Sequence, residues 1–295
     1  MAEVRVHVDG RELTLSNLQK VLFPGPGTTK AAVVDYYSRI APTMVGHLRD
    51  RAVTLVRYPD GVDGKSFFEK RCPPSAPDWV RVGGRLHSCV VDDAATLVWL
   101  ANLAALELHT HQHTVEHPDT PTAVVIDLDP GAPAGILDCA RVALELHEVL
   151  DRFGLQMVVK TSGSKGLHLA IPLNVAGHDD EETKQFALAA GQMLSDAAPK
   201  KVTVSMAKRD RVGRVFVDWS QNDRNKTTVT AYSIRAQPLP YVSTPVSWDE
   251  VSDAHDRADP DALAFTIDDV LARVDELGDL YEPNLTVEQE LPRLQ

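Results

Sequence analysis

The sequence contains few cysteines and no long apolar run. Its three cysteines, Cys72, Cys89 and Cys139, show no CxxC spacing and cannot all pair, which argues against a disulfide framework and against a zinc ribbon. No apolar stretch approaches the length of a bilayer span, and the N-terminal residues carry charges where a signal peptide has an apolar segment. Internal repeats and low-complexity linkers are also missing from the sequence. We therefore expect a cytoplasmic protein with no membrane partner.

The remaining composition is that of a globular protein whose charge is unevenly distributed. Hydrophobic residues make up 43% of the 295 residues and charged residues 24%, a balance that excludes disordered and fibrous chains. The formal net charge is −12, yet residues 247–295 alone contain 14 acidic residues against three arginines. Residues 200–214, by contrast, contain six basic residues and one acidic residue. Such a basic cluster can bind phosphates in an acidic protein, although a solvated loop is the simpler interpretation.

Hydrophobic patterning predicts an α+β fold with mixed sheets. Strands that follow strands, with helices at irregular intervals, favour this class over a regular βαβ winding. The predicted helices cover 30–48 (capped by Thr28 or Thr29), 94–105, 135–153, 181–197 and 267–277. The predicted strands cover 4–8, 11–15, 53–58, 66–70, 106–113, 122–129, 155–160, 166–173, 201–206, 214–219 and 227–234.

Two aspartates end the apolar strand predicted at 122–129. Asp127 and Asp129 are two residues apart and share a face of the strand, whereas Leu128 points to the other face. Adjacent carboxylates repel each other unless a cation compensates their charge, so the pair indicates a Mg²⁺ or Mn²⁺ site. Asp218 ends a second apolar strand and could complete a two-metal site for nucleotidyl transfer. The open alternatives are a strand-end turn capped by Asp129 and an Asp218 paired with a nearby arginine.

The segment TSGSKGLH, at residues 161–168, joins two predicted strands. Its small residues let backbone N–H groups approach a phosphate, and Ser162, Ser164 and Lys165 add donors for anionic oxygen. It is not a Walker A loop, because the GxxxxGK[ST] spacing is absent and no helix follows. A hairpin turn with a solvent-exposed lysine is the alternative interpretation.

Histidines and phenylalanines suggest two further sites. His109, His111 and His113 alternate along one predicted strand, so that they could bind a transition metal from one face. A polar strand face with hydrogen-bonded histidines is the simpler alternative. Phe67 and Phe68 could form a stacking platform for bases, or one ring could be in the core and the other exposed.

Three segments occur in an order that a known family shares. VVIDLDP at 124–130, TSGSKGLHLAIPL at 161–173 and VFVDWSQN at 215–222 resemble the three-motif signature of the archaeo-eukaryotic primase (prim-pol) superfamily. The similarity is specifically to the polymerase domain of bacterial non-homologous end-joining DNA ligases and its stand-alone relatives, and it covers nearly the whole chain. We therefore expect a stand-alone protein or an excised domain, since ligase and nuclease modules are missing from the sequence.

The resemblance implies an architecture. It implies one prim-pol domain over 1–295 whose core is an RRM-like active-site sheet, mixed or antiparallel, flanked by helices. Within it, residues 1–120 would contain the contacts to DNA and to a 5′-phosphate, 121–246 the catalytic core, and 247–295 an acidic helical segment.

The resemblance also implies roles for individual residues. The catalytic carboxylates, which also bind metal, are Asp127, Asp129 and Asp218. The nucleotide-binding residues are Ser162, Ser164, Lys165, Gly166, His168, Gln221, Arg235, His109 and Arg57. The DNA-binding residues are Asn17, Lys20 and Lys30 around a downstream 5′-phosphate, Phe67 and Phe68 on the template strand, and Lys70 and Arg211.

The implied activity is template-dependent nucleotidyl transfer in bacterial DNA repair by non-homologous end joining. The enzyme would fill short gaps or extend ends, prefer ribonucleotides, and use two Mn²⁺ or Mg²⁺ ions per active site. Its partners would be NTPs or dNTPs, DNA with a gap or a 3′ overhang and a downstream 5′-phosphate, and a DNA ligase or Ku. We expect a monomer that is cytoplasmic and associated with the nucleoid.

Two departures from the family pattern favour gap filling over the pairing of two DNA ends. The stretch between Trp79 and Trp99 is short, and Val56 stands where the family pattern has a basic residue.

Two other interpretations compete with a polymerase. A transition-metal enzyme built on the three histidines would retain zinc, iron or nickel through purification. A catalytically weak DNA-end-binding module would bind DNA without incorporating nucleotides.

Overall fold

The computed structural model describes residues 3–292, which fall into two compact units. Unit 1 comprises the described part of Met1–His111 together with Val229–Ser243 and Phe265–Gly278. Unit 2 comprises Gln112–Thr228, Thr244–Ala264 and the described part of Asp279–Gln295. Each unit therefore combines segments that are distant in the sequence.

Strands and helices alternate irregularly along the chain, as the patterning predicts. The strands are β1 (Glu3–Val8), β2 (Arg11–Ser16), β3 (Val21–Phe23), β4 (Thr28–Thr29), β5 (Ala52–Arg57), β6 (Phe67–Glu69), β7 (Val82–Gly83), β8 (Ser88–Val90), β9 (Ala105–Thr110), β10 (Ala123–Pro130), β11 (Val158–Thr161), β12 (Leu167–Pro172), β13 (Val202–Thr203), β14 (Val215–Asp218), β15 (Thr228–Val229) and β16 (Pro245–Val246). The helices are α1 (Lys30–Leu48), α2 (Ala94–Asn102), α3 (Ile136–Arg152), α4 (Asp180–Ala197), α5 (Trp248–Asp256), α6 (Ile267–Leu277) and α7 (Pro283–Thr286).

Unit 2 is built on a six-stranded mixed sheet in the order β13-β14-β10-β12-β11-β16. Strand β10 pairs antiparallel with β12 and β14, whereas β13 pairs parallel with β14. Leu128 and Val217 lie opposite each other in β10 and β14, so their side chains share a face. Helix α4 packs on that face, because a Cβ added at Gly191 would lie 2.9 Å from the Val217 side chain. Asp127, the neighbour of Leu128 in β10, therefore points to the face opposite α4.

Unit 1 contains a second sheet in the order β15-β9-β5-β8-β7, in which β6 also pairs with β5. Two tyrosines of α1 anchor this unit from its core. Tyr36 donates a hydrogen bond to the Tyr232 carbonyl at 2.8 Å, and Tyr37 donates to the Leu106 carbonyl at 2.6 Å. Both rings are fully buried, and the two bonds satisfy the hydroxyl groups that burial would otherwise leave unpaired.

The predicted helices are confirmed with small changes at their ends. Helix α1 has the predicted bounds, and the Thr29 side chain accepts a hydrogen bond from the Ala32 amide as its N-terminal cap. Helix α2 ends at Asn102, earlier than predicted, because Ala104 adopts a φ of 57° that a helix cannot continue through. Helix α5, which lies in the segment expected to be helical at 247–295, begins with a capping box formed by Ser247 and Glu250.

Several strand predictions are wrong in their extent. The strand predicted at 155–160 begins at Val158, and the strand predicted at 201–206 is reduced to β13. Strand β9 ends at Thr110 instead of continuing to residue 113, so only His109 of the three histidines lies in it. The chain bends there because the Thr122 amide donates to the Gln112 carbonyl, which turns the chain toward β10. The strand predicted at 227–234 is reduced to β15, and Tyr232 with a φ of 68° interrupts its continuation.

The sequence argument against disulfides is wrong for one pair of cysteines. Cys72 and Cys89 form a disulfide, because the chain that leaves β6 returns beside β8 and brings their Cα atoms within 4.6 Å. Cys139 is a buried free thiol. Spacing along the chain could not reveal the bridge, since it depends on which strands are neighbours.

Within residues 3–292, no helix is both long enough and apolar enough to cross a bilayer.

Candidate active site

Three carboxylates share the face of the unit 2 sheet opposite α4. Asp127 in β10 lies directly opposite Asp218 in β14, and such cross-strand partners project to the same side. Asp129 follows Asp127 by two residues and projects to that side as well. Asp129 is exposed, whereas Asp127 and Asp218 are half-buried. The register of two strands thus places the three acids together.

The same row continues across two more strands with basic side chains. His168 in β12 is the register partner of Asp127, and Lys160 in β11 is the partner of His168. The His168 Nε2 atom lies 3.4 Å from Asp127 Oδ1, and Lys160 Nζ lies 3.1 Å from His168 Nδ1. Lys160 and His168 are both buried. An acidic pair and a basic pair therefore lie side by side in one row of four strands.

A short 3-10 turn after β14 holds Asp218 in place. The Ser220 amide donates to Asp218 Oδ1 at 3.0 Å, and the Gln221 side-chain amide donates to Oδ2 at 2.9 Å. The Asn222 side chain fastens this turn to β10, since it accepts from the Val125 amide at 2.8 Å and donates to the Val125 carbonyl at 2.7 Å. Gln221, predicted to bind nucleotide, thus contacts a carboxylate of the row.

The donor set of these carboxylates fits a divalent cation. Carboxylate oxygens are the ligands that Mg²⁺ and Mn²⁺ prefer. Asp127 is oriented toward His168, and Asp218 is oriented toward Ser220 and Gln221. Within residues 3–292, no group of three or more His, Cys, Asp and Glu side chains is arranged as a preformed metal site. The fit therefore rests on chemical type and on the shared face of the sheet.

The predicted turn between β11 and β12 is present, and its serine shapes it. Ser162 Oγ accepts hydrogen bonds from the amides of Ser164 at 3.2 Å and Gly166 at 3.1 Å. A Cβ at Gly166 would lie 2.0 Å from the Leu128 carbonyl oxygen, so only glycine fits this close approach to β10. Ser164 and Lys165 are exposed at the tip of the turn. Buried Ser162 therefore organises a turn whose exposed side chains are donors.

The basic segment at 200–214 passes beside the end of β10. A Cβ at Gly131 would lie 1.9 Å from the Arg211 carbonyl oxygen, and the Gly131 amide donates to the Arg214 carbonyl at 2.9 Å. The Arg211 guanidinium lies 3.5 Å from the ring centroid of Phe216 and donates to the Met206 carbonyl at 2.8 Å. Arg211, predicted to bind DNA, is therefore close in the chain fold to the segment that follows Asp129.

In unit 1, Glu107 brings two predicted nucleotide-binding residues together. The Glu107 Oε2 atom lies 3.0 Å from His109 Nε2, and its Oε1 atom lies 3.3 Å from Arg235 Nε. The Ala236 amide also donates to Oε1 at 3.0 Å. Burial raises the pKa of the Glu107 carboxyl. The hydrogen bond from His109, the charge of Arg235 and the Ala236 amide outweigh burial, so the pKa is lowered to about 2.

The aromatic pair of unit 1 is exposed on β6 next to Arg57. Phe67 and Phe68 are 43% and 68% exposed, so neither ring is part of the core. Arg57 donates to Glu69 at 2.8 Å and to the Leu103 carbonyl at 2.9 Å, and its guanidinium lies 5.2 Å from the Phe67 ring. Lys70 is exposed just after the pair. The pair is therefore available for stacking, with cationic side chains beside it.

The amide and the two amines predicted for a 5′-phosphate lie around the start of α1. The Lys20 amide donates to the Asn17 carbonyl at 2.9 Å, and the Lys30 amide donates to the Lys20 carbonyl at 2.7 Å. Lys30 Nζ is buried and donates to the Ser16 carbonyl at 2.6 Å, whereas exposed Lys20 pairs with Asp60 at 2.7 Å. Burial lowers the pKa of Lys30 to about 8, with help from the positive charges of Lys20 and Arg57.

The proposed three-histidine metal site is not formed. His109 contacts Glu107, whereas His113 lies beyond β9, where its ring nitrogens contact the Thr114 and Arg224 carbonyls. His111 also follows the end of the strand. The transition-metal interpretation is therefore wrong for this fold.

Sequence reasoning missed three residues that organise the candidate site: Lys160, Glu107 and Asn222. Each is buried and contacts a predicted site residue or the element that holds one. A polar residue inside an apolar strand was the available signal for Lys160 and Glu107, because burial of a charge demands a partner.

Several known proteins are similar to this chain in sequence. A model of the LigD primase-polymerase domain matches residues 29–281. The multifunctional non-homologous end joining protein LigD of Mycolicibacterium smegmatis is 40% identical over 277 residues, which cover 91% of this chain and 35% of that protein. The bifunctional LigD of Bacillus subtilis is 34% identical over 269 residues, or 90% of this chain and 43% of that protein. The chain thus spans less than half the length of these two relatives.

A solved structure is also similar over nearly its whole length. The polymerase domain from Mycobacterium tuberculosis Ligase D, in complex with DNA, matches with a TM-score of 0.86 and 37% identity. The match covers 94% of this chain and 99% of that one, and both contain the mixed α+β architecture described above.

Proposed function

The chain belongs to the LigD primase-polymerase family of nucleotidyltransferases, and from this we propose that it adds nucleotides to the 3′ end of a DNA primer during repair by non-homologous end joining. The observation that carries the proposal is the row of strand-borne carboxylates on one face of the unit 2 sheet. Their type and arrangement suit a reaction in which negative charge on phosphate must be neutralised.

Asp127, Asp129 and Asp218 would hold two Mn²⁺ or Mg²⁺ ions. When bound, such ions lower the pKa of a primer 3′-hydroxyl and neutralise charge on the departing pyrophosphate. β-Strand register places the three carboxylates on one face of the sheet, and hydrogen bonds from Ser220 and Gln221 restrain Asp218 in addition. In-line transfer depends on this kind of positioning.

The turn between β11 and β12 would bind the triphosphate. Ser164 and Lys165 are exposed donors at its tip, and Ser162 and Gly166 give the turn its shape. His168 would orient Asp127 and contact the nucleotide, with Lys160 fixing the ring from the other side. From unit 1, Arg57, His109 and Arg235 are proposed to bind nucleotide as well, a role that the family resemblance implies.

DNA would bind through unit 1 and the basic segment. We assign Asn17, Lys20 and Lys30 to a downstream 5′-phosphate, because an amide and two amines at a helix start suit a phosphate dianion. Phe67 and Phe68 would stack on template bases, with Lys70 and Arg211 on phosphates. The substrate would be a short gap or an end with a 3′ overhang, ribonucleotides would be preferred, and a DNA ligase or Ku would be the partner.

Primer extension tests the proposal directly. A labelled primer on a short gap with a 5′-phosphate is incubated with Mn²⁺ and each NTP or dNTP, with wild type beside Asp127→Ala/Asp129→Ala. We expect ribonucleotide addition by wild type and its loss, by about a thousandfold or more, in the double variant. Asp196→Ala, which removes an exposed carboxylate from α4, is the matched control and should retain activity.

Two outcomes would contradict the proposal. Binding of the gapped DNA without any addition would indicate the DNA-end-binding module instead. Retained addition in Asp127→Ala/Asp129→Ala would place the catalytic residues elsewhere. Preferential use of dNTPs would overturn the ribonucleotide preference alone.

A further inference from the structure

We propose that Glu107 is a positioning residue, which holds His109 and Arg235 in the orientation in which they receive the triphosphate of the incoming nucleotide. The inference rests on the proposed function, since His109 and Arg235 are nucleotide-binding only there. Glu107 itself belongs to none of the three motifs that carry the family resemblance. Its side chain is 9% exposed, compared with 15% for His109 and 19% for Arg235.

The two carboxylate oxygens have different partners. Oε2 accepts from His109 Nε2, whereas Oε1 pairs with Arg235 and accepts the Ala236 amide. An ionised carboxylate can only accept hydrogen bonds, so the proton on the His109 ring must be at Nε2 wherever the ring carries one proton. Nδ1 is then the ring nitrogen that Glu107 does not engage. Glu107 thus selects both the rotamer and the tautomer of His109.

The contact with Arg235 is an ion pair. The Arg235 Nε atom lies 3.3 Å from Glu107 Oε1, so the negative charge of the carboxylate holds the guanidinium beside it. The planar fork of a guanidinium suits phosphate oxygens only when its plane is set, since two parallel hydrogen bonds require alignment. One carboxylate therefore orients two side chains that differ in chemistry but share an anionic ligand.

The backbone around Glu107 is fastened by other groups. The Leu108 amide donates to Ser233 Oγ at 2.8 Å, and the Ile234 amide donates to the Tyr37 hydroxyl at 3.1 Å. Tyr37 in turn donates to the Leu106 carbonyl at 2.6 Å. The segment that contains Arg235 is thus attached to β9 without Glu107. Burial of a carboxylate opposes folding, and besides the Ala236 amide the contacts of Glu107 are to the two side chains that the function uses.

The ionisation of Glu107 agrees with this role. Its pKa of about 2 keeps the carboxylate charged at any pH at which the enzyme would work, despite the opposing effect of burial. Gln has nearly the same shape and can still accept the Ala236 amide, but it has no charge and presents an NH₂ group to one partner.

The test compares Glu107→Gln with wild type in ATP incorporation on the phosphorylated gap with Mn²⁺. We expect KM for ATP to rise about tenfold, with the DNA affinity and the melting temperature little changed, because a lost charge-assisted contact of this kind costs about that factor. Glu107→Asp, which keeps the charge on a shorter side chain, should recover part of the loss. Asp92→Asn is the matched control: Asp92 also pairs with an arginine, Arg81, and accepts the Asp50 amide, and its KM should be that of wild type.

A double-variant cycle separates positioning from a merely structural role. If Glu107 acts through His109 and Arg235, adding Glu107→Gln to the His109→Ala/Arg235→Ala background should raise KM by less than about threefold further. A full tenfold increase in that background, or an unchanged KM in Glu107→Gln alone, would overturn the inference.

Calorimetric titration with ATP and Mn²⁺ keeps the inference separate from the proposed function. If wild type binds ATP but adds no nucleotide, the proposed polymerase activity fails. Equal ATP affinity of wild type and Glu107→Gln would then overturn the Glu107 inference independently. Should Glu107→Gln not fold, Glu107→Asp carries the same comparison.

Discussion

The two units hold their functional side chains in different ways. In unit 2, Asp218, Asp127, His168 and Lys160 occupy one position each on four neighbouring strands, so sheet register alone sets their order. In unit 1, the residues proposed to bind nucleotide and DNA come from separate parts of the chain. His109 lies at the end of β9, Arg235 lies more than a hundred residues later, and Lys20 lies in the turn before α1. Side-chain contacts such as Glu107 with Arg235 hold that arrangement together.

This difference predicts how each unit responds to substitution. A site set by register fails when the backbone of its strands moves, because each side chain depends on the same ladder of hydrogen bonds. A site set by side-chain contacts loses function in steps, as individual charges or rings are removed. The predictions below separate these two behaviours.

The largest effect is expected at Gly166 in unit 2. A Cβ there would lie 2.0 Å from the Leu128 carbonyl oxygen, which is backbone and cannot rotate away. Gly166→Ala should therefore push β12 from β10 and lower the free energy of unfolding by about 3 kcal/mol or more, measured by urea denaturation. The row of Asp127 and His168 would be displaced with it, and activity would be lost.

Gly135→Ala is the control for this prediction. Gly135 precedes α3 in the same unit, and a Cβ at its position would meet nothing within 4 Å. Its replacement should change stability by less than about 1 kcal/mol. If Gly166→Ala were as stable as Gly135→Ala, the close approach of the turn to β10 would not be a constraint.

The carboxylates in the row of side chains on the unit 2 sheet were largely predictable from the sequence, because they lie on strands with a clear apolar pattern. Asp127 and Asp129 alternate with Leu128 inside an apolar run, and Asp218 ends another such run. The pairing of β10 with β14, which puts Asp127 opposite Asp218, could not be predicted from the sequence, because local sequence does not specify which strands are neighbours.

The arrangement of functional side chains in unit 1, which depends on contacts between side chains, was less predictable. The partnership of Glu107 with Arg235 joins residues far apart in sequence, and the bend after Thr110 removed two histidines from their predicted strand. An eight-residue alternation of polar and apolar residues indicates a strand but cannot fix its end. The Cys72–Cys89 disulfide was missed for the same reason, because strand order brings these cysteines together.

A smaller effect is expected from the titration of Lys30 in unit 1. Its pKa is lowered from 10.5 to about 8, so the ammonium loses its charge as pH rises through 8 rather than near 10.5. A 5′-phosphate would then lose one cationic partner at mildly alkaline pH. We expect the preference for phosphorylated over unphosphorylated gaps to fall about tenfold between pH 7 and pH 9, measured by competition binding.

Lys30→Arg provides the comparison, because a guanidinium keeps its charge over this pH range. The variant should show a nearly constant preference if it still binds the phosphate. Charge reversal of Lys20 and Lys30 together should abolish the preference at every pH. A wild-type preference that stays level up to pH 9 would exclude Lys30 as the titrating contact.

The smallest effect is expected at Phe68. Its ring is 68% exposed on β6, and its loss should weaken binding of a gapped template about fivefold, the lower end for one stacked base, because Phe67 remains beside it. Phe153 at the end of α3 in unit 2 is also 68% exposed, so Phe153→Ala removes an equally exposed ring where no template contact is proposed. Fluorescence anisotropy with labelled DNA should distinguish Phe68→Ala from Phe153→Ala while their melting temperatures stay similar. Equal DNA affinities would assign the exposed pair on β6 to a role other than stacking, and would leave charge as the means by which unit 1 recognises DNA.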